Sequence, residues 1–233
     1  MLILALDTTS RAGSVAIVDD DRIIAVVHGN AERTHGERLP GELERALQLA
    51  GRAAHDLDLL VVANGPGAFT GLRIGLAAVQ GLAMVLRIPA IGVSALDALA
   101  AAAADAARPS PAMIATWMDA ARGEVFAGRY TTEDGAPVGS TDEASVATPE
   151  AVIASMRAEE LARTTFIGDG AVRYREVLRR STVSQTRVLE APAALAPLLA
   201  RIGRQRALRG EAGPPHALQP LYVRRPDAEL NRK

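Results

Sequence analysis

Seventeen consecutive residues, 71–87, carry only three polar side chains, Arg73, Gln80 and Arg87, each seven positions from the next. In a helix that spacing stacks the three along one narrow stripe. The rest of the circumference is apolar or small, with Gly71, Gly75, Ala78 and Gly81 among the small positions. A helix that covers one face of a sheet needs an apolar arc of roughly 100°. This helix has far more. Either other helices of the same chain bury it, or another protein does.

The segments before it set the class of fold. Residues 2–6 form an apolar run of buried-strand length, and residues 13–18 form a second. Asp19-Asp20-Asp21 is a polar turn, and residues 22–27 return as a third strand. Strands this close together predict an antiparallel meander. Leu39, Leu43, Ala46, Leu47 and Ala50 make an amphipathic stripe that predicts a helix over 36–50, ended by Gly51. Residues 57–63 read as a strand covered on both faces. Asn64-Gly65-Pro66-Gly67 is a turn, and Thr70 can cap the helix over 71–87. A strand over 89–92 and a helix over 95–107 follow.

The resulting order, βββαβαβα, is the ribonuclease H-like order found in each half of actin-like, sugar-kinase and Hsp70 folds. It predicts an α/β protein of two lobes, each on a mixed five-stranded sheet. Arg108-Pro109-Ser110-Pro111 breaks the chain and marks the expected boundary, with lobes 1–108 and 109–233. The second lobe reads as a degraded copy. It has strands over 113–118, 124–130 and 165–168. Its helices are expected over 149–157, 172–180 and 193–209, and its tail could pack back on the first lobe.

Composition narrows the function. The 233 residues are 48% hydrophobic and 23% charged, with a formal net charge of -1. That is the balance of a globular protein without a global basic surface for nucleic acid. There is no cysteine, which removes thiol catalysis and cysteine metal sites. The start of the chain lacks the basic region of a signal peptide, and Arg or Gly interrupts the apolar tracts. The expectation is a cytoplasmic protein without a membrane span.

Few residues are placed for chemistry. Asp7-Thr8-Thr9-Ser10 follows the first strand. Hydroxyls and exposed N–H groups there could hold an anion or the phosphates of a nucleotide, and Asp7 could equally close a strand turn. Gly67 lies in a glycine turn leading to a helix N-terminus, a second anion candidate. The segment lacks the Lys-Ser/Thr pair of a phosphate-binding loop, so its glycines more simply supply unusual φ angles and close packing. The histidines, His28, His35, His55 and His216, form no i, i+4 pair, so no helical metal site is expected. No Gly-x-Ser-x-Gly elbow is present. Asp119, Arg122 and Glu124 read as a solvated hairpin. Eight cations against three acids between Arg201 and Lys233 suggest either a solvated helix and tail or weak contact with RNA phosphates.

The chain resembles the TsaB family. Leu4-Ala5-Leu6-Asp7-Thr8-Thr9, His35-Gly36-Glu37-Arg38-Leu39 and Gly65-Pro66-Gly67-Ala68-Phe69-Thr70-Gly71-Leu72-Arg73-Ile74-Gly75 carry the resemblance. Asp119-Ala120-Ala121-Arg122-Gly123-Glu124-Val125-Phe126, Gly168-Asp169-Gly170-Ala171 and Pro220-Leu221-Tyr222-Val223-Arg224 extend it along nearly the whole chain. The glycine-rich block is the specific one.

The resemblance implies a role in making N6-threonylcarbamoyladenosine at position 37 of tRNAs that read ANN codons. It implies two partners, the TsaD transferase and the TsaE ATPase, with ATP and metal carried by them and no cofactor here. TsaD would dock on the first two long helices. The expected interface residues are Leu39, Leu43, Leu47, Gly71, Ile74, Gly75, Ala78 and Leu82, with a homodimer as the alternative for the isolated chain. Any contact with tRNA would be indirect or weak. The paralogue's His-x-x-x-His motif corresponds here to Val93-Ser94-Ala95-Leu96-Asp97-Ala98-Leu99, which holds no histidine. A catalytically silent subunit is therefore expected. The rival expectations are a phosphotransferase, an M22-type peptidase and a self-associating protein.

Overall fold

The computed structural model describes residues 1–106, 113–133, 136–140, 143–181 and 187–224. The chain divides into two compact units. The first is Met1–Ala98 with Ala193–Tyr222, and the second is Leu99–Pro192 with the segment from Val223 onward. The chain therefore returns to its first unit after residue 192. The break expected at residues 108–111 lies outside the described residues.

In the first unit, β1 (Leu2–Asp7), β2 (Ser14–Asp19) and β3 (Arg22–His28) form the expected antiparallel meander. Helix α1 (His35–Ala50) follows. Thr34 and Glu37 start it as a capping box, with the Thr34 N–H and hydroxyl both donating to one Glu37 carboxylate oxygen. Gly51 ends it in the left-handed region at φ 61°. Then come β4 (Leu59–Gly65), α2 (Phe69–Leu86) and β5 (Ala90–Ser94), followed by α3 (Ala95–Ala106), whose residues from Leu99 on count with the second unit. Strands β4 and β5 add in parallel, giving the order β3-β2-β1-β4-β5.

The second unit repeats that connectivity. Its strands are β6 (Met113–Asp119), β7 (Val125–Glu133), β8 (Ala136–Ser140), β9 (Ser145–Ala147), β10 (Thr164–Ile167) and β11 (Arg187–Leu189). The order is β11-β10-β6-β7-β8, with β9 added on β7. The first three strands again form an antiparallel meander and β10 and β11 again add in parallel. The sixth strand exceeds the five expected. The helix expected over 149–157 stops early. α4 (Pro149–Ala154) ends there, and Arg157 begins α5 (Ala158–Arg163). The helix expected over 172–180 is two, α6 (Asp169–Arg173) and α7 (Arg175–Ser181), separated at Tyr174 by non-helical φ and ψ. Trp117 and Phe166 meet edge to face at 5.1 Å in this unit's core.

Each face of the first sheet has its own cover. Leu4, Leu6, Leu60 and Val62 point toward α1 and α2, where Leu39, Ala46, Leu76, Val79 and Ala83 complete the core. The alternating residue Val61 points the other way. There it meets α8 (Ala196–Leu208), so closely that a methyl group on Gly203 would come within 2.5 Å of it. The Ala196 N–H donates to Ser14 Oγ at 3.1 Å and fixes the start of that helix.

Helix α2 starts two residues before the expected position, with Ala68 as its N-cap in place of Thr70. Its length and mean hydropathy of 1.6 are those of a membrane-spanning helix, but Gly71, Leu72, Gly75, Leu76, Val79 and Ala83 are buried. Its opposite side is open.

Candidate functional site

The end of β1, the N-terminal turns of α1 and α2, and the outer side of α2 converge in the first unit. Asp7 closes a turn on itself. Its Oδ1 accepts from the Thr9 N–H at 2.8 Å and from the Thr9 hydroxyl at 2.6 Å. Asp7, Thr8 and Thr9 are all buried. Burial pushes the Asp7 carboxyl above its ordinary range, against the two Thr9 hydrogen bonds and the nearby His35, which pull it down.

Helix α2 seals this turn. A methyl group on Gly71 would lie 2.4 Å from the Thr8 carbonyl oxygen, and one on Gly75 would lie 2.2 Å from Thr8 Oγ1. Only glycine lets the helix approach so closely. Gly67 is equally tight, its added methyl 2.7 Å from the Thr9 carbonyl. The anion site expected at Asp7, Thr8, Thr9 and Gly67 thus lies where the first strand's turn and α2 already pack closely. The Thr9 N–H is spent on Asp7 and the Ala68 N–H on the Thr9 carbonyl. The two hydrogen bonds from Thr9 fit the strand-turn reading of Asp7.

His35 and Arg38 tie α1 to the same turn. His35 Nε2 lies 3.0 Å from the Ser10 carbonyl oxygen, and Arg38 Nη2 lies 2.9 Å from His35 Nδ1. Arg38 is buried and also donates to the carbonyls of Arg11, Ala12 and Arg33 and to Glu42. One guanidinium thereby joins two loops and a helix. Both residues stand in the His35–Leu39 motif of the family resemblance, but the sequence assigned neither a site role, because a lone His and Arg in a first helical turn resemble a solvated surface or a cap.

The eight residues expected at a partner interface fall into two groups. Leu39, Gly71 and Gly75 are buried, so they pack the unit's own core and present nothing outward. Leu43, Leu47, Ile74, Ala78 and Leu82 are partly covered and lie against the same core. The open stripe of α2 runs through Ala77, Gly81, Met84 and Val85 instead, with Met84 69% and Val85 80% exposed. The excess of apolar surface was visible in the sequence, but its phase around the helix was not. At the N-terminal end of α2, Phe69 stacks on Tyr222 at 5.3 Å, and Arg73 lies over the Phe69 ring and donates to the Tyr222 hydroxyl at 3.0 Å. The Leu221 N–H donates to the Asn64 carbonyl at 2.7 Å, holding this C-terminal strap on the end of β4.

In the second unit, Asp119 ends β6 as Asp7 ends β1. Its Oδ1 accepts from the Ala121 N–H at 3.2 Å, and its Oδ2 pairs with Arg173 at 2.7 Å. Arg224 pairs with Glu124 and donates to the Ala120 carbonyl. Among the described residues no three His, Cys, Asp or Glu side chains are grouped to hold a metal.

Comparison with known proteins places this architecture. Residues 23–230 match the family model described as TsaD: tRNA N6-adenosine threonylcarbamoyltransferase. The chain is 36% identical to the tRNA threonylcarbamoyladenosine biosynthesis protein TsaB of Bacillus subtilis (strain 168), over 58% of this chain and 57% of that one. It is 33% identical to the Escherichia coli (strain K12) protein of the same name, over 65% of this chain and 64% of that one. The matched regions thus span somewhat over half of these relatives. A crystal structure from Pseudomonas aeruginosa, described as an uncharacterized protein with similarity to peptidase YeaZ, aligns over 96% of this chain and 99% of its own, at 31% identity and TM-score 0.80. On the match over residues 23–230 the chain belongs to the family described as TsaD: tRNA N6-adenosine threonylcarbamoyltransferase, and the named relatives it resembles are TsaB proteins.

Proposed function

We propose that this chain is a non-catalytic subunit required to form N6-threonylcarbamoyladenosine at position 37 of tRNAs that read ANN codons. It presents the outer side of α2, with α1 beside it, to a TsaD-type transferase, and a TsaE-type ATPase joins them. ATP and metal belong to those partners, and a cytoplasmic location goes with the role.

The observation that carries this reading is the open apolar stripe of α2. Met84 and Val85 are the most exposed large apolar side chains of the first unit, on a helix whose other side is core. Covering them would contribute roughly 1.5–3 kcal/mol each. Exposed apolar surface of this kind marks a protein contact more often than a catalytic cleft. The sealed turn at Asp7 supports the silent role, because a phosphotransferase needs that corner open to its nucleotide.

Sedimentation of the chain with a TsaD-type transferase tests the reading. The wild-type chain is expected to form a heterodimer. Val85→Arg should abolish it while melting at the wild-type temperature, because this side chain touches little of its own unit. A Val85→Arg chain that binds the transferase as well as wild type would overturn the assignment of the face. So would a homodimer that never yields to the transferase.

A further inference from the structure

Arginine has N–H donors and no acceptor. Arg38 Nη2 shares its two N–H groups among the Arg11 and Ala12 carbonyls and His35 Nδ1, and at 2.9 Å the last contact fits a lone pair on Nδ1 and not a second N–H. The ring proton then sits on Nε2 and is donated to the Ser10 carbonyl at 3.0 Å. The pair is compatible with the neutral imidazole alone. A proton on Nδ1 would place two N–H groups and two positive charges face to face.

The position of this pair matters. Arg38 holds Arg11 and Ala12 through their carbonyls and grips Arg33 and Glu42 on the side of α1. His35 continues the chain of contacts toward α2. Its ring carbon would lie 3.3 Å from a methyl group on Gly71, the residue that packs on the Thr8 carbonyl. The N-terminal turns of α1 and α2 are thereby registered through one imidazole.

We infer that Arg38 and His35 form a latch that fixes the N-terminal ends of α1 and α2 against the turn after β1, and that protonation of His35 opens it. Both are positioning residues, acting on the partner face through the backbone of the two helices. The latch itself stands on the first unit alone; its effect on a partner rests on the function proposed above. The charges acting on His35 are Arg38 and Glu42 of α1 and Asp7 of β1. Burial, then the Arg38 charge, holds the imidazole below its ordinary pKa. The Ser10 hydrogen bond, Asp7 and Glu42 oppose that shift. Acidification into the range below neutrality would load the proton that the geometry refuses.

Two measurements on wild type and His35→Asn, whose amide can accept from Arg38 and does not titrate, test this. The first is amide exchange in the free chain from about pH 8 to about pH 5, with the two chains compared at each pH. Wild type is expected to lose protection in residues 8–13 and in the first turns of both helices as the pH falls, relative to His35→Asn. Identical profiles would overturn the latch. Should His35→Asn not fold, His35→Gln carries the same comparison.

The second measurement is affinity for the TsaD-type transferase over the same range. Wild type should weaken on acidification about tenfold more than His35→Asn, a difference that a merely structural role would not produce. An opening seen by exchange without that difference would overturn the link to the partner face. A wild-type chain that binds no transferase at any pH would overturn the proposed function and leave the latch to stand on the exchange data.

Discussion

Two aspartates end equivalent strands, Asp7 on β1 and Asp119 on β6, and each accepts a hydrogen bond from the N–H two residues on. That hydrogen bond is shared and its surroundings are opposite. Asp7 is buried next to Thr8, on which the glycines of α2 pack, and burial pushes its carboxyl above its ordinary range. Asp119 stays partly open and is neutralised by Arg173, whose side chain is 60% exposed. One connectivity thus tolerates two ways of dealing with a carboxylate at a strand end. The first unit closes its helix over it, which costs desolvation and needs glycine. The second pairs it at the surface, which costs little and contributes little. The first solution also leaves a long apolar helix with one side free.

The sharpest way to break this comparison is to add one methyl group. Gly71→Ala puts carbon against the Thr8 carbonyl and should cost about 3 kcal/mol or more in urea unfolding. On the open side of the same helix a methyl group on Gly81 meets nothing within 4 Å. Gly81→Ala should be neutral or stabilise by about 0.5–1 kcal/mol through helix propensity. Equal effects would mean that α2 does not seal the turn.

Next comes the charge pair beside each turn. Arg38→Met strands Glu42 and several carbonyls in a buried setting and should cost about 3–5 kcal/mol. Arg173→Met in the second unit should cost under about 1 kcal/mol.

Smaller effects follow from pH. His35 titrates below its ordinary value in the folded chain, so the unfolded chain binds the proton first. Stability contributed through His35 is therefore present above the ordinary histidine pKa and lost as pH falls from there toward the folded value. Thermal melts of wild type and His35→Asn should diverge only across that window.

The smallest effect expected is that of Asp7→Asn. The folded pKa of Asp7 is raised, so its ionised form costs stability once the pH climbs above the ordinary aspartate range. At neutral pH Asp7→Asn should match or slightly exceed wild type, since an amide oxygen still accepts from Thr9. It should also support tRNA modification fully. A chain inactivated by this change would show that Asp7 does chemistry.

Much of the first unit was legible in the sequence because its signals are strong. Three apolar strands with a polar turn, a stripe at Leu39, Leu43 and Ala46, and a glycine turn before an apolar helix leave few alternatives. The second unit was harder. Arg187–Leu189 and Ser145–Ala147 are three residues each, too short to show alternation, and neither was anticipated as a strand. The break at Tyr174 depends on tertiary packing that no local propensity encodes.

The site divided in the same way. That α2 had too much apolar surface could be counted, but which residues faced outward depended on where the sheet lay. Gly71 and Gly75 looked like a smooth docking surface and prove to be the close-packed inner side. The closure of the Asp7 turn and the latch at His35 and Arg38 are contacts between segments distant in sequence, and no spacing announces them.

The most direct test of the central claim is an omit-one reconstitution. tRNA, threonine, bicarbonate, ATP, a TsaD-type transferase, a TsaE-type ATPase and the adenylate-forming enzyme are combined with and without this chain, and the modified adenosine is quantified. The account predicts that modification collapses when the chain is left out and that the chain alone modifies nothing. Modification that proceeds unchanged in its absence, or a chain that modifies tRNA without the transferase, would contradict it.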